Sequence, residues 1–144
     1  MIDSTRQATL REAIELFFFG YRAFTEHPDR ILTQRGLSRA HHRILYFVGR
    51  DPGLGIDALL AVLGVSKQAL NAPLRRLVER KLVTVRISAQ DGRRRELRLT
   101  AEGTRLEAQL TGTQMAQLAA VFDAAGKTAE NGWRAVMARL PKED

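Results

Sequence analysis

Between Ser66 and Arg95 the chain gathers side chains whose donors and acceptors can bind phosphates and base edges without bond chemistry. They are Ser66, Lys67, Gln68, Asn71, Arg75 and Arg76, then Asp91, Arg93, Arg94 and Arg95. Guanidinium and ammonium groups favour phosphate and the guanine edge, while Asn and Gln carboxamides pair with adenine. Leu70, Leu74, Leu77 and Val78 recur at i, i+4, i+7 and i+8, an apolar stripe that leaves the polar set on the other face of a helix. The three consecutive arginines follow Asp91-Gly92, so they sit at or beside a slim basic tip. Such a tip fits a narrow minor groove, where negative potential is concentrated. No acid–base pair, nucleophile elbow or Gly-rich phosphate loop accompanies them, so no enzyme is expected.

The elements that must position these residues are legible around them. GIDALLAVL (55–63) reads as a helix with Leu59, Leu60 and Leu63 inward and Asp57 near its positive N-terminus. Gly64 suits a left-handed helix end, Ser66 is a good N-cap for the next helix, and Val65 can anchor its entry. Pro73 falls inside that second helix, at a cost of about 3 kcal/mol. Either the helix kinks near Asn71–Ala72 or it is two pieces; the unbroken leucine phase favours one kinked helix. Val83, Val85 and Ile87 then alternate with polar residues, and Leu97 and Leu99 do so on the return. Gln90-Asp91-Gly92-Arg93 turns between these strands. A helix-turn-helix with a basic β-hairpin is a winged helix-turn-helix, whose second helix enters a DNA major groove.

These motifs resemble those of MarR-type transcriptional regulators. Asp91-Gly92-Arg93 is similar to the family's D-x-R wing signature, and Leu97-Arg98-Leu99-Thr100-Ala101-Glu102-Gly103 to its strand-to-helix junction. Leu63-Gly64-Val65-Ser66 resembles the entry to its recognition helix. The resemblance implies that Arg93 enters the minor groove and that Asp91 pairs with a basic side chain to hold the wing. It further implies a two-fold dimer in which the first and last two helices interdigitate. Pro73 departs from the commonest pattern.

Charge agrees with this layout. Residues 55–100 carry ten Lys/Arg against four Asp/Glu, a net of +6 out of the chain's +7. Scattered charge is usually a solvated surface, but concentration on one motif points to a polyanionic partner. The 144 residues suit one domain with helical extensions, and the hydrophobic share of 44% is enough for a core. The chain contains no run of 18 apolar residues, so no membrane span is expected, and the polar N-terminus is unlike a signal peptide. Zero cysteines exclude disulfides and thiolate metal sites. The expected location is cytoplasmic, with no cofactor and no metal.

The flanks read as helices. From Asp3 to Thr25, Leu10, Ile14, Phe17, Phe18, Tyr21 and Phe24 keep the helical period, with Leu16, Phe19 and Ala23 off the stripe and Pro28 as the expected stop. Ser38 caps a helix to Arg50 with His41, Ile44, Leu45 and Val48 inward. After Thr100, Leu106, Leu110, Leu118 and Phe122 line a long helix. Trp133, Val136, Met137 and Leu140 share a face of the last one. Neither has an evident partner within a winged module, so the seam of a homodimer is expected from Leu10, Ile14, Phe17, Phe18, Tyr21, Leu118, Phe122, Trp133, Val136, Met137 and Leu140; an intramolecular cap is the alternative. The division is 37–100 for the winged domain, with 1–36 and 101–144 for dimerisation. His41 and His42 point about 100° apart on a helix. His41 is most simply a satisfied core histidine, with effector binding or metal ligation as lesser readings. Phe17, Tyr21, His41, His42 and Tyr46 together suggest a pocket for a small aromatic or anionic effector. The reading is a mainly α chain with a β-hairpin wing: a homodimeric repressor binding a pseudo-palindromic operator in double-stranded DNA. The alternative is a winged-helix protein–protein module without DNA binding.

Overall fold

The computed structural model describes residues 1–140. The expected dimerisation segment 101–144 thus ends in four residues outside this range. Asp3 opens α1 (Ser4–Gln34) by accepting the Arg6 backbone N–H at 2.8 Å. The helix does not stop at Pro28; it continues through it. Proline lacks the N–H that would engage the Phe24 carbonyl. The Gln114 carboxamide donates to that oxygen at 3.4 Å, and Gln117 donates to the Ala23 carbonyl at 3.3 Å. Another helix thus supplies what the proline removes, a compensation with no local signal. The end comes at Gly36 (φ 68°), where Leu37 N–H returns to the Leu32 carbonyl and the two leucines are buried.

Ser38 precedes α2 (Arg39–Arg50) as expected, with Ile44, Leu45 and Val48 buried. Leu54–Gly55 forms a short strand, β1, that the sequence pattern did not reveal, because two residues show no alternation. Gly55 therefore caps α3 (Ile56–Leu63) and is not its first residue. Gly64 ends α3 in the left-handed region at φ 65°. Ser66 caps α4 (Lys67–Glu79), accepting the Ala69 N–H at 3.1 Å. Pro73 lies within α4, which is one helix. Leu70, Leu74 and Leu77 are buried, but Val78 and the entry residue Val65 are exposed, so the apolar stripe is narrower than the sequence suggested.

The sheet has order β1-β3-β2, all antiparallel, from β2 (Val83–Ile87) and β3 (Arg95–Leu99), with Val85 opposite Leu97 and Ile87 opposite Arg95. Val83 and Leu97 are buried, whereas Ile87 is 67% exposed. On β2 burial falls steadily from Val83 to Ile87 and does not alternate as expected, because the outer end of the hairpin reaches past the core.

Thr100 caps α5 (Ala101–Ala125), accepting from Gly103 N–H at 3.0 Å and donating to the Lys81 carbonyl at 2.7 Å. A Cβ on Gly103 would lie 2.0 Å from the Leu82 carbonyl oxygen. The glycine permits this close crossing. Leu106 and Leu110 are buried with Leu32, Leu37, Ile44, Leu45, Leu59, Leu77 and Leu97 in one core. The core therefore crosses the expected boundaries at 36/37 and 100/101, and the first turns of α5 do have a partner inside the winged module. Beyond Gly126, α6 (Lys127–Met137) buries no residue. Among the described residues no helix is long and apolar enough to cross a membrane.

Candidate nucleic-acid interface

The leucines of α4 fix its orientation. Once Leu70, Leu74 and Leu77 face the core, Lys67, Gln68, Asn71 and Arg75 are turned outward, and all four are exposed. Ser66 is exposed but occupied as the cap. The face offers an ammonium, a guanidinium and two carboxamides, with no carboxylate among them. Arg76 was expected here but points elsewhere. Its Nε donates to the Gly36 carbonyl at 3.1 Å, and Arg80 donates to the Arg35 carbonyl at 2.8 Å.

The wing is held by its own backbone. Ser88 N–H donates to the Arg94 carbonyl at 2.8 Å, and Arg94 N–H to the Asp91 carbonyl at 3.0 Å, so the tight turn runs 91–94, one residue later than expected. The Ser88 hydroxyl accepts the N–H groups of Gln90 and Asp91. The Asp91 carboxylate accepts the Arg93 backbone N–H at 3.0 Å. Among the described residues it forms no ion pair, which corrects the expected basic partner. An Asx turn does the holding because the carboxylate is two residues from an N–H it can reach without a long side chain. Arg93, Arg94 and Arg95 are all exposed. Arg94, however, lies back over β1: a Cβ on Gly55 would meet its Nε at 3.1 Å. Arg93 is the arginine left at the tip.

A helix-turn-helix, a three-stranded sheet and an arginine-tipped hairpin are thus assembled on one core. Residues 35–94 match the model of the MarR family. The HTH-type transcriptional regulator PetP of Rhodobacter capsulatus is 47% identical over 128 residues, spanning 89% of this chain and 77% of that protein. The chain belongs to the MarR family. Solved structures share its fold. A MarR family transcription regulator superposes with a TM-score of 0.76 at 20% identity, covering 94% of this chain and 89% of that one. Staphylococcus aureus MepR, solved in complex with DNA, gives 0.68 at 19% identity, covering 87% and 93%.

In this MarR-family chain the other expected residues separate into two groups. Ile14, Phe17, Phe18, Tyr21, Trp133, Val136 and Leu140 are exposed in the single chain, Ile14 and Val136 at 67% and 66%. Leu10, Leu118, Phe122 and Met137 are half-buried. Phe122 and Trp133 meet edge to face at 5.4 Å, which joins α5 to α6. The five residues of the expected effector pocket do not converge. His41 and His42 lie on the inward side of α2, buried and satisfied. His41 Nδ1 accepts the Ser38 N–H at 2.9 Å, as the N3 residue of a capping box does. His42 Nε2 meets the Thr111 hydroxyl at 3.2 Å. Burial pushes both imidazoles below their ordinary pKa, reinforced at His41 by Arg76 and Arg80. Tyr46 stands edge-on to Phe47. Phe17 and Tyr21 instead line an open groove of about 930 Å³ along α1, with Leu10, Ile14, Phe18, Arg22 and Arg39.

Sequence reasoning missed the arginines around Tyr21. Arg43 donates to its hydroxyl at 2.8 Å, and the Arg39 guanidinium lies 5.6 Å from its ring centre while pairing with Asp29 at 2.8 Å. Only the packing of α2 beside α1 brings them together, since 22 residues separate Tyr21 from Arg43.

Proposed function

We propose that this protein is a sequence-specific DNA-binding transcriptional regulator that acts as a homodimer, as a repressor, on a pseudo-palindromic operator. One observation carries the reading: the outward face of α4 presents Lys67, Gln68, Asn71 and Arg75 free of intramolecular partners among the described residues, on a module whose apolar side is closed. Such donors and acceptors are costly to hold in one array unless they meet a polar partner, and their types match base edges. Arg93 at the wing tip adds a cation for a neighbouring minor groove.

The dimer reading rests on the bare apolar surface of α1 and of the α5–α6 end. A two-fold protein doubles the reading face and matches an inverted repeat. The winged module then reads DNA, while the exposed apolar faces of α1 and of the α5–α6 end join the protomers. The DNA partner suits a cytoplasmic protein. A small aromatic or anionic effector is a subordinate reading, supported by the apolar α1 groove with Arg22 and Arg39 at its margin, and no longer by His41, His42 or Tyr46.

Selection of bound sites from random duplex tests the proposal. An inverted repeat should emerge, bound with an affinity that falls steeply with salt. A protein–protein module would bind no duplex at any salt, and direct repeats or single half-sites would contradict the two-fold dimer. A reporter under the selected site decides repression against activation.

A further inference from the structure

The C-terminal end of α1 is capped by side chains of another helix. α1 is 31 residues long, and its last turn carries no basic residue to meet the negative end of its dipole. Arg76 of α4 and Arg80, the residue that caps its C-terminal end, supply that charge. Arg76 Nε donates to the Gly36 carbonyl at 3.1 Å, and Arg80 Nη1 to the Arg35 carbonyl at 2.8 Å. Space is kept for them: a Cβ on Gly36 would meet Arg76 Nη2 at 3.0 Å and Arg80 Nη2 at 3.2 Å. Gly36 is at φ 68°, so glycine both permits the turn and leaves room for the two guanidiniums.

The two arginines sit four apart at the C-terminal end of α4, beside the face bearing Lys67, Gln68, Asn71 and Arg75. They hold the end of that helix to the helix that carries Ile14, Phe17 and Phe18. We propose that Arg76 and Arg80 are positioning residues: they lock the DNA-reading helix to α1 and so set the separation of the two reading helices in the dimer. The inference rests on the dimeric DNA-binding reading above. It gives Arg76 a role distinct from a phosphate contact. A pair of charged hydrogen bonds to backbone carbonyls fixes direction as well as distance. An α4 released at this point would still present every base-reading side chain, but at a spacing free to vary.

The test compares wild type with Arg76→Gln/Arg80→Gln and with Arg76→Lys/Arg80→Lys, which keep the charge and a cationic N–H donor group. Affinity of the full chain is measured on the selected operator and on operators with one or two base pairs added or removed between half-sites, over a range of salt. The Gln pair should bind the best operator about five- to tenfold more weakly. Its preference for that spacing over the altered ones should shrink toward one, while the slope of log affinity on log salt stays at the wild-type value. The Lys pair should recover most of the preference. A flatter slope by roughly one per arginine, with the spacing preference intact, would make them phosphate contacts and overturn the proposal. Unchanged affinity and preference would overturn it too.

A measurement without DNA separates this idea from the reading it rests on. The chain has no cysteine, so a spin-label pair at Glu26→Cys and Asn71→Cys is unambiguous. Labelled chains diluted into unlabelled protein report the distance from α1 to α4 within one protomer. That distribution should broaden in the Gln pair at unchanged helix content. A width equal to wild type removes the lock, whatever the protein does with DNA. Failure of wild type to bind any duplex removes the DNA reading and leaves the label result to decide the lock.

Discussion

In the winged module the helix ends meet partners within the chain, whereas along the first half of α1 and on α6 large apolar side chains meet solvent. Ser38, Ser66 and Thr100 precede their helices as N-cap residues, and the α1 and α4 termini return to Leu32 and Leu77. Phe18 and Trp133, by contrast, are 61% and 45% exposed. The first region closes its core within one copy, whereas α6 buries no residue. The difference teaches that the two regions answer to different partners. A closed module can carry a polar outer face because its folding does not depend on it, while an open apolar face marks an association surface.

The largest expected effect lies on the open region. Trp133→Asp should dissociate the proposed dimer, since a charge enclosed in an apolar seam costs several kcal/mol. The winged module should keep its far-ultraviolet spectrum, because Trp133 is outside the core. Sedimentation at micromolar concentration reads the result, and a monomeric wild type would erase the contrast between the regions.

On the closed region, Gly103→Ala should lower stability by about 1–3 kcal/mol, because its methyl group overlaps the Leu82 carbonyl and α5 must shift away. Gly20 is the counterpart on α1, with nothing within 4 Å of its Cβ position in one chain. Gly20→Ala should therefore stabilise an isolated chain by about 0.5–1 kcal/mol through helix propensity. A destabilisation there at concentrations that favour the dimer would place Gly20 inside the seam. Denaturant melts of both variants make the comparison.

The reading face and the wing should differ in kind. Asn71→Ala should weaken binding by about 1–3 kcal/mol on the best operator and little on random duplex. Arg93→Ala should weaken all sequences, most where the flanking minor groove is narrow, and flatten the salt slope by roughly one for each phosphate that is no longer neutralised. Circular dichroism comes first, although Asp91 uses the Arg93 backbone N–H and not its side chain, so the turn should survive. A folded Arg93→Ala protein that binds every duplex like wild type would remove the wing from the interface.

The smallest effect is a pH dependence inside the closed region. Burial, with Arg76 and Arg80 at His41, holds both histidines below the ordinary value of about 6.5. The unfolded chain takes up these protons more readily, so their contribution is complete above that value and is lost as pH falls through the lowered folded values. His41→Gln keeps a capping-box acceptor but cannot protonate. Its melting temperature should fall less than that of wild type between about pH 7.5 and about pH 5.5. An equal fall would clear His41 of any part in the acid sensitivity.

Local chemistry by itself determined the order of the winged module. Ser66, Gly64 and Thr100 cap because each stands where an apolar helical period begins or ends, and Leu70, Leu74 and Leu77 turn one side of α4 inward by period alone. The outward placement of Lys67, Gln68, Asn71 and Arg75 follows from that stripe. What needed the tertiary structure was every feature whose partner is distant in the chain. Pro28 reads as a stop until Gln114 and Gln117 meet the carbonyls beside it. Leu54–Gly55 becomes a strand only because β3 lies alongside. Arg76 reads as more of the basic face until the α1 terminus arrives to accept its hydrogen bond, and nothing near His42 in the chain points to Thr111, 69 residues away, as its partner. Short-range order is set by backbone sterics and capping, which act over one turn. The disposition of a long side chain is set by whichever acceptor packing brings within its reach, and no periodicity records that.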